Sequence, residues 1–109
     1  MRLFKNIFKK ETFRPKSKDE ELEILVKDDD NFTNAENYLK PLIHKIMKRH
    51  GFDEKDKKVY MKITEAMRTA AKFYLSKGGV KEEYKFSTYF SWWAIETIKR
   101  EKKQPGAKN

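Results

Sequence analysis

Wherever apolar residues gather in this chain they fall three and four apart, and nowhere do they alternate, which restricts the fold to packed helices. Tyr38, Leu39, Leu42, Ile43, Ile46 and Met47 mark one helical face running to Gly51. Val59, Tyr60, Ile63, Ala66, Met67, Ala70, Phe73 and Tyr74 mark a second, opening at about Asp53 or Asp56 and ending at Gly78-Gly79. Ala66, Ala70 and Ala71 are small enough to let a neighbouring helix approach closely. A third helix is expected from about Thr88 to Lys103, with Ser87 or Thr88 as its N-cap and no Pro or Gly before Pro105-Gly106. Lys99, Arg100, Lys102 and Lys103 lie at the negative end of its macrodipole. The expected fold is all-α, a compact bundle of three main helices with one or two short helices in front.

The punctuation divides the chain into a basic amphipathic N-terminal segment (residues 1–16), a helical domain (17–103) and a C-terminal tail (104–109). Leu3, Phe4, Ile7 and Phe8 stand among cations, a pattern suited to a membrane surface, a partner groove or a terminal helix docked on its own domain. After Arg14-Pro15-Lys16, the run Ser17-Lys18-Asp19-Glu20 forms a capping box that opens a short helix through about Val26. The acidic turn Asp28-Asp29-Asp30-Asn31 lacks the alternating oxygen ligands, glycine and distal glutamate of a calcium loop, and reads as a solvated helix boundary. Thr33-Asn34-Ala35-Glu36 makes a second capping box, and Pro41 lies well inside the helix that follows unless the first turn starts later, which leaves room for a kink or a split at Lys40. The segment from Ser76 to Tyr84 is a loop that delivers Lys81 and Lys85 toward the third helix.

That third helix carries the functional signal. At roughly 100° per residue, Phe90, Ala94, Thr97 and Ile98 share one side with Ile95 at its margin, and this is the expected core side. The opposite side reads Tyr89, Trp92, Trp93, Glu96, Lys99, Arg100 and Lys103, so aromatics and cations share one stripe. An ordinary surface helix buries its large rings, and a tryptophan pair packed under another helix is the structural alternative. With the core side already filled, stacking of unpaired bases on the rings, worth about 1–3 kcal/mol per base, and phosphate contacts from the cations fit the stripe better.

The stretch Lys85-Phe86-Ser87-Thr88-Tyr89-Phe90-Ser91-Trp92-Trp93, continuing to Glu101, resembles region 2 of the sigma-70 family of bacterial transcription initiation factors. Lys85 to Tyr89 together with Trp92 and Trp93 match that family's K-F-S-T-Y-x-x-W-W core in identity and spacing. Upstream, Ala66 to Phe73 looks like the family's L-x-x-A-x-x-K-F helix end, and Leu39 to Ile46 is similar to its first conserved helix in pattern, so the resemblance covers about residues 33–103. It implies that Tyr89, Trp92 and Trp93 open the promoter's −10 element and hold flipped non-template bases. It further implies that Lys85 and Thr88 contact the single strand, and that Glu96 and Lys99 read the last paired base upstream. Lys81, Lys85, Lys99, Arg100 and Lys103 are expected to hold the backbone.

Three departures modify these expectations. The family places an amide at Glu96 and a hydroxyl at Lys99, so any preference at the −12 position is expected to differ. Where family members carry a D-L-x-Q-E-G-like run that binds the polymerase β′ subunit, this chain has Lys57-Lys58-Val59-Tyr60-Met61-Lys62-Ile63-Thr64-Glu65. Lys57, Lys58, Lys62 and Glu65 are therefore the expected partner-binding residues. The upstream promoter element, which full-length members read with a separate helix-turn-helix domain, is expected to fall to another protein or to the rest of a longer chain.

Composition sets independent bounds. A net charge of +9 over 109 residues biases the chain toward nucleic acid or anionic surfaces. The absence of cysteine excludes disulfides and thiolate metal sites and is compatible with a reducing cytoplasm. No apolar run reaches the roughly 18 residues of a membrane span and no signal-peptide core is present, so a cytoplasmic location is expected. His44 and His50 fall on different sides of a helix, no close carboxylate pair completes a metal site, and the Gly-Gly pair follows a helix instead of opening one. No enzyme, cofactor or metal is expected. The expected partners are the RNA polymerase core, through its β′ subunit, and promoter DNA, preferentially its non-template single strand. The alternatives are a repurposed region-2 fold acting as a transcription regulator or protein adaptor without promoter melting, and a basic binder of duplex DNA or a membrane surface led by residues 1–10.

Overall fold

The computed structural model describes residues 13–77 and 84–103. The expectations for residues 1–10, Gly78-Gly79, Lys81, the side chain of Lys103 and residues 104–109 lie outside the described residues. Four helices and no strand make up the described chain: α1 (Lys18–Lys27), α2 (Thr33–Arg49), α3 (Lys57–Ser76) and α4 (Phe86–Lys103). Three are long and one is short, as the apolar spacing indicates. None is long and apolar enough to cross a membrane.

The stripes of apolar residues meet in one core. Leu25 of α1, Leu39, Ile43 and Met47 of α2, Ile63, Met67 and Tyr74 of α3, and Phe86, Phe90 and Ile98 of α4 are buried together. Each such side chain removed from water contributes about 1.5–3 kcal/mol before ordering costs. The most extensive helix pairing is α3 with α4. Ala70, Ala71 and Ala94 are fully buried, and side chains this small let helix backbones approach.

The helix ends combine expected and unexpected caps. At α1, Glu20 N–H donates to Ser17 Oγ at 3.1 Å and Ser17 N–H to Glu20 Oε1 at 2.9 Å, the reciprocal box read from the sequence. Donation from Ser17, its backbone N–H first, favours the ionised form and holds the Glu20 carboxyl below the ordinary carboxylate range. At α3, Asp56 accepts from Val59 N–H at 3.1 Å. The second capping box is absent. Phe32, not Thr33, precedes α2, with a left-handed φ of 55° and no side-chain cap of its own. The acidic turn supplies the caps instead: Asp29 Oδ1 accepts from Thr33 N–H, and the two Asp28 oxygens accept from Asn34 and Ala35 N–H. Glu36, freed from its expected cap, accepts the Tyr60 hydroxyl at 2.8 Å and so joins α2 to α3. Helix α2 runs unbroken through Pro41, so the helix is not split at Lys40.

The start of α4 also differs from expectation, and it positions the site. The helix begins at Phe86, and Lys85 C=O already accepts from Tyr89 N–H, so Ser87 and Thr88 are first-turn residues and not N-caps. Ser87 N–H donates across the fold to Glu21 Oε1 at 2.9 Å. Glu21 is only 1% exposed, and its other oxygen accepts the Tyr38 hydroxyl, which in turn accepts Lys16 N–H. One carboxylate from α1 therefore caps α4 and binds α2. Burial first, then the bond to Glu21, push the Tyr38 phenol well above its ordinary value.

Candidate nucleic-acid interface

On α4, Phe90, Ala94 and Ile98 are fully buried, as the helical angles require, and Phe86 and Glu101 join them. Thr97 and Ile95 are only half-buried; the Thr97 hydroxyl donates to Trp93 C=O at 2.9 Å. The fully buried residues of α4 thus include neither tryptophan, and Trp93 packs against the core from its edge.

The aromatic stripe divides by depth. Trp92 is 48% exposed. Trp93 and Tyr89 are half-buried: the Trp93 ring stacks on Phe73 at 5.7 Å and 28°, and Tyr89 leans on buried Tyr74 at 5.5 Å. Trp93 therefore takes the packed position that the structural alternative expects, and Trp92 stays outward. Edge-on contacts link Tyr89 to Trp93 at 6.2 Å and to Trp92 at 6.4 Å, and Tyr84 meets Trp92 at 4.9 Å and 74°. The rings form one connected array from Phe73 to Tyr84.

Two members of that array escaped the sequence reading. Phe73 falls on the apolar face of its helix by spacing, yet it lies near the C-terminal end, is 47% exposed and serves as the platform for Trp93. Tyr84 stands just before α4 in the expected loop. Its backbone C=O accepts the hydroxyl of buried Tyr74. The available signal was its place in the run Tyr84-Lys85-Phe86.

The charged members surround the rings. Thr88, Glu96, Lys99 and Arg100 are exposed, and Lys85 is half-buried. Trp92, Trp93, Glu96, Thr97 and Arg100 line a hollow of about 320 Å3. Lys85 and Thr88 line a separate one of about 230 Å3 with Phe13, Leu42, Ser87 and Ser91. The two sets of residues that were expected to share one strand thus border different hollows. Lys81 and the side chain of Lys103 are not among the described positions.

The expected partner-binding set is also divided. Lys57, Lys58 and Glu65 are exposed, with Met61 outward beside them. Lys62 belongs to the fold: its Nζ lies 3.0 Å from Glu101 Oε2, a carboxylate almost entirely buried on α4. His44 is half-buried beside Tyr60, with Nδ1 3.8 Å from Glu54, and His50 N–H closes the end of α2. Among the described residues no group of three or more His, Cys, Asp or Glu side chains is placed to hold a metal ion. Asp28 and Asp29 are instead engaged by backbone N–H groups, which hold the Asp29 carboxyl below the ordinary range. Comparison of this chain with family models, with curated proteins and with solved structures finds no match.

Proposed function

We propose that this chain is a sigma-70 region-2-like transcription protein that captures unpaired bases of promoter-type DNA and works with the RNA polymerase core. The observation that carries the reading is the outward Trp92, 48% exposed on a helix whose core face is filled without it. Beside it stand the Tyr84 ring and the Arg100 side chain. A flat ring accepts any base, and Lys99 and Arg100, two turns along the same helix, can neutralise phosphate. Lys85, Thr88, Tyr89, Trp92 and Trp93 match the resemblance at the positions that hold the non-template strand. Lys57, Lys58 and Glu65 remain as the candidate contacts to the β′ subunit.

One observation favours the alternative of a regulator or adaptor without promoter melting. Tyr89 and Trp93 are seated on α3, which leaves Trp92 as the most outward of the three rings. Fluorescence anisotropy with a −10-type bubble and the matching duplex separates the readings. Base capture predicts tighter binding to the bubble and about a tenfold loss in Trp92→Ala, equal to one base stack, with circular dichroism unchanged. Equal affinity for bubble and duplex in the unmodified protein would overturn base capture.

A further inference from the structure

We infer that the hollow bounded by Trp92, Trp93, Glu96 and Arg100 is a site for an unpaired guanine base. The inference rests on the base-capture reading and assigns it a specificity, in place of the paired-base role that the resemblance implies for Glu96. Both tryptophans line it, with the Trp93 ring stacked on Phe73, and the volume of about 320 Å3 is ample for one purine, whose large face gains most from stacking.

The two charged residues supply the discrimination. A glutamate four residues before an arginine on a helix ordinarily closes an ion pair. Here both side chains are exposed, and neither pairs with another described residue. Glu96 and Arg100 are thus both open to hydrogen bonds from a group seated in the hollow they line.

An ionised carboxylate only accepts, and its two oxygens together need two donors side by side. Guanine alone offers that pair, N1–H and N2–H2, on its Watson–Crick edge. Cytosine sets the acceptor N3 beside its amine, adenine sets N1 beside N6, and thymine places N3–H between two carbonyls, so each presents a lone pair to one carboxylate oxygen. Guanine O6 and N7 then accept from a guanidinium in the bidentate arrangement that arginine favours. One base therefore satisfies both side chains. In a duplex the N1/N2 edge is occupied by cytosine, so the site takes guanine only when it is unpaired.

The test titrates the full chain with short oligothymidylates carrying a single central dG, dA or dC, or none, and separately with free GMP. The expected result is binding to the dG strand tighter by about fivefold or more, the discrimination of one good bidentate contact. Glu96→Gln is expected to abolish the dG preference and shift it toward dA, because an amide pairs bidentately with adenine. Its unchanged circular dichroism serves as the folding control. GMP binding with the same Glu96 dependence assigns the site to the guanine nucleotide itself, whereas dG preference without GMP binding assigns it to guanine within a strand. Equal binding of all four strands, still weakened by Trp92→Ala, overturns the guanine site and leaves base capture standing. No binding to any strand overturns both.

Discussion

Glu21 shows how a single side chain can organise this site without touching a ligand. Its carboxylate accepts Ser87 N–H at the head of α4 and the Tyr38 hydroxyl of α2, from a position sealed against water. Removing it leaves the buried Ser87 N–H and the part-buried Tyr38 hydroxyl without their acceptor. Glu21→Ala is therefore expected to destabilise the fold by about 3 kcal/mol, read as a lowered urea midpoint. Glu23→Ala removes only the exposed i,i+4 pair with Lys27 and is expected to leave the midpoint in place. Nothing in the sequence distinguishes the two glutamates, because Glu21's partners lie 17 and 66 residues away. The Ser17–Glu20 box was legible because its donors and acceptors are local. Trp92 and Trp93 make the same point: adjacent in sequence, they separate in depth because Phe73 stands opposite only one of them.

At the scale of elements, periodicity located the three long helices of the described residues, since apolar stripes at helical spacing have no other use in a chain without alternation, and the Ser17–Glu20 box located α1. The ends were less legible wherever the cap came from elsewhere. Asp28 caps α2 from seven residues before Ala35, and Glu21 caps α4 from another helix. The same dependence on distant partners hid the Lys62–Glu101 pair, which ties α3 to the far end of α4. Lys62→Met strands a carboxylate that is 4% exposed and is expected to destabilise the protein by about 2 kcal/mol, less than a fully buried pair because Lys62 keeps contact with water. Adding Glu101→Leu removes the stranded charge and should recover most of the loss in the same urea titration. A double variant no more stable than Lys62→Met alone would mean that Glu101 is held by something other than this lysine. Charge reversal at Lys62 therefore tests folding, and docking is better tested at Lys57 and Lys58.

For the whole molecule, a net charge of +9 announces an anionic partner but not where it binds, since exposed cations occur on every helix. Stacking and charge respond differently to salt. If the strand follows the aromatic array, Lys85, Lys99, Arg100 and Lys102 are the cations in reach. Displacing counterions from about four phosphates of a single strand gives a slope of log K against log salt near −3. A strand wrapped over the entire basic surface would give a slope roughly twice as steep. Base stacking releases few ions, so the advantage of bubble over duplex is expected to persist as salt rises while both affinities fall. Anisotropy titrations across a salt series measure both quantities at once. A shallow slope with a persistent bubble advantage localises binding to the α4 face, and a steep slope with no advantage assigns the affinity to net charge alone.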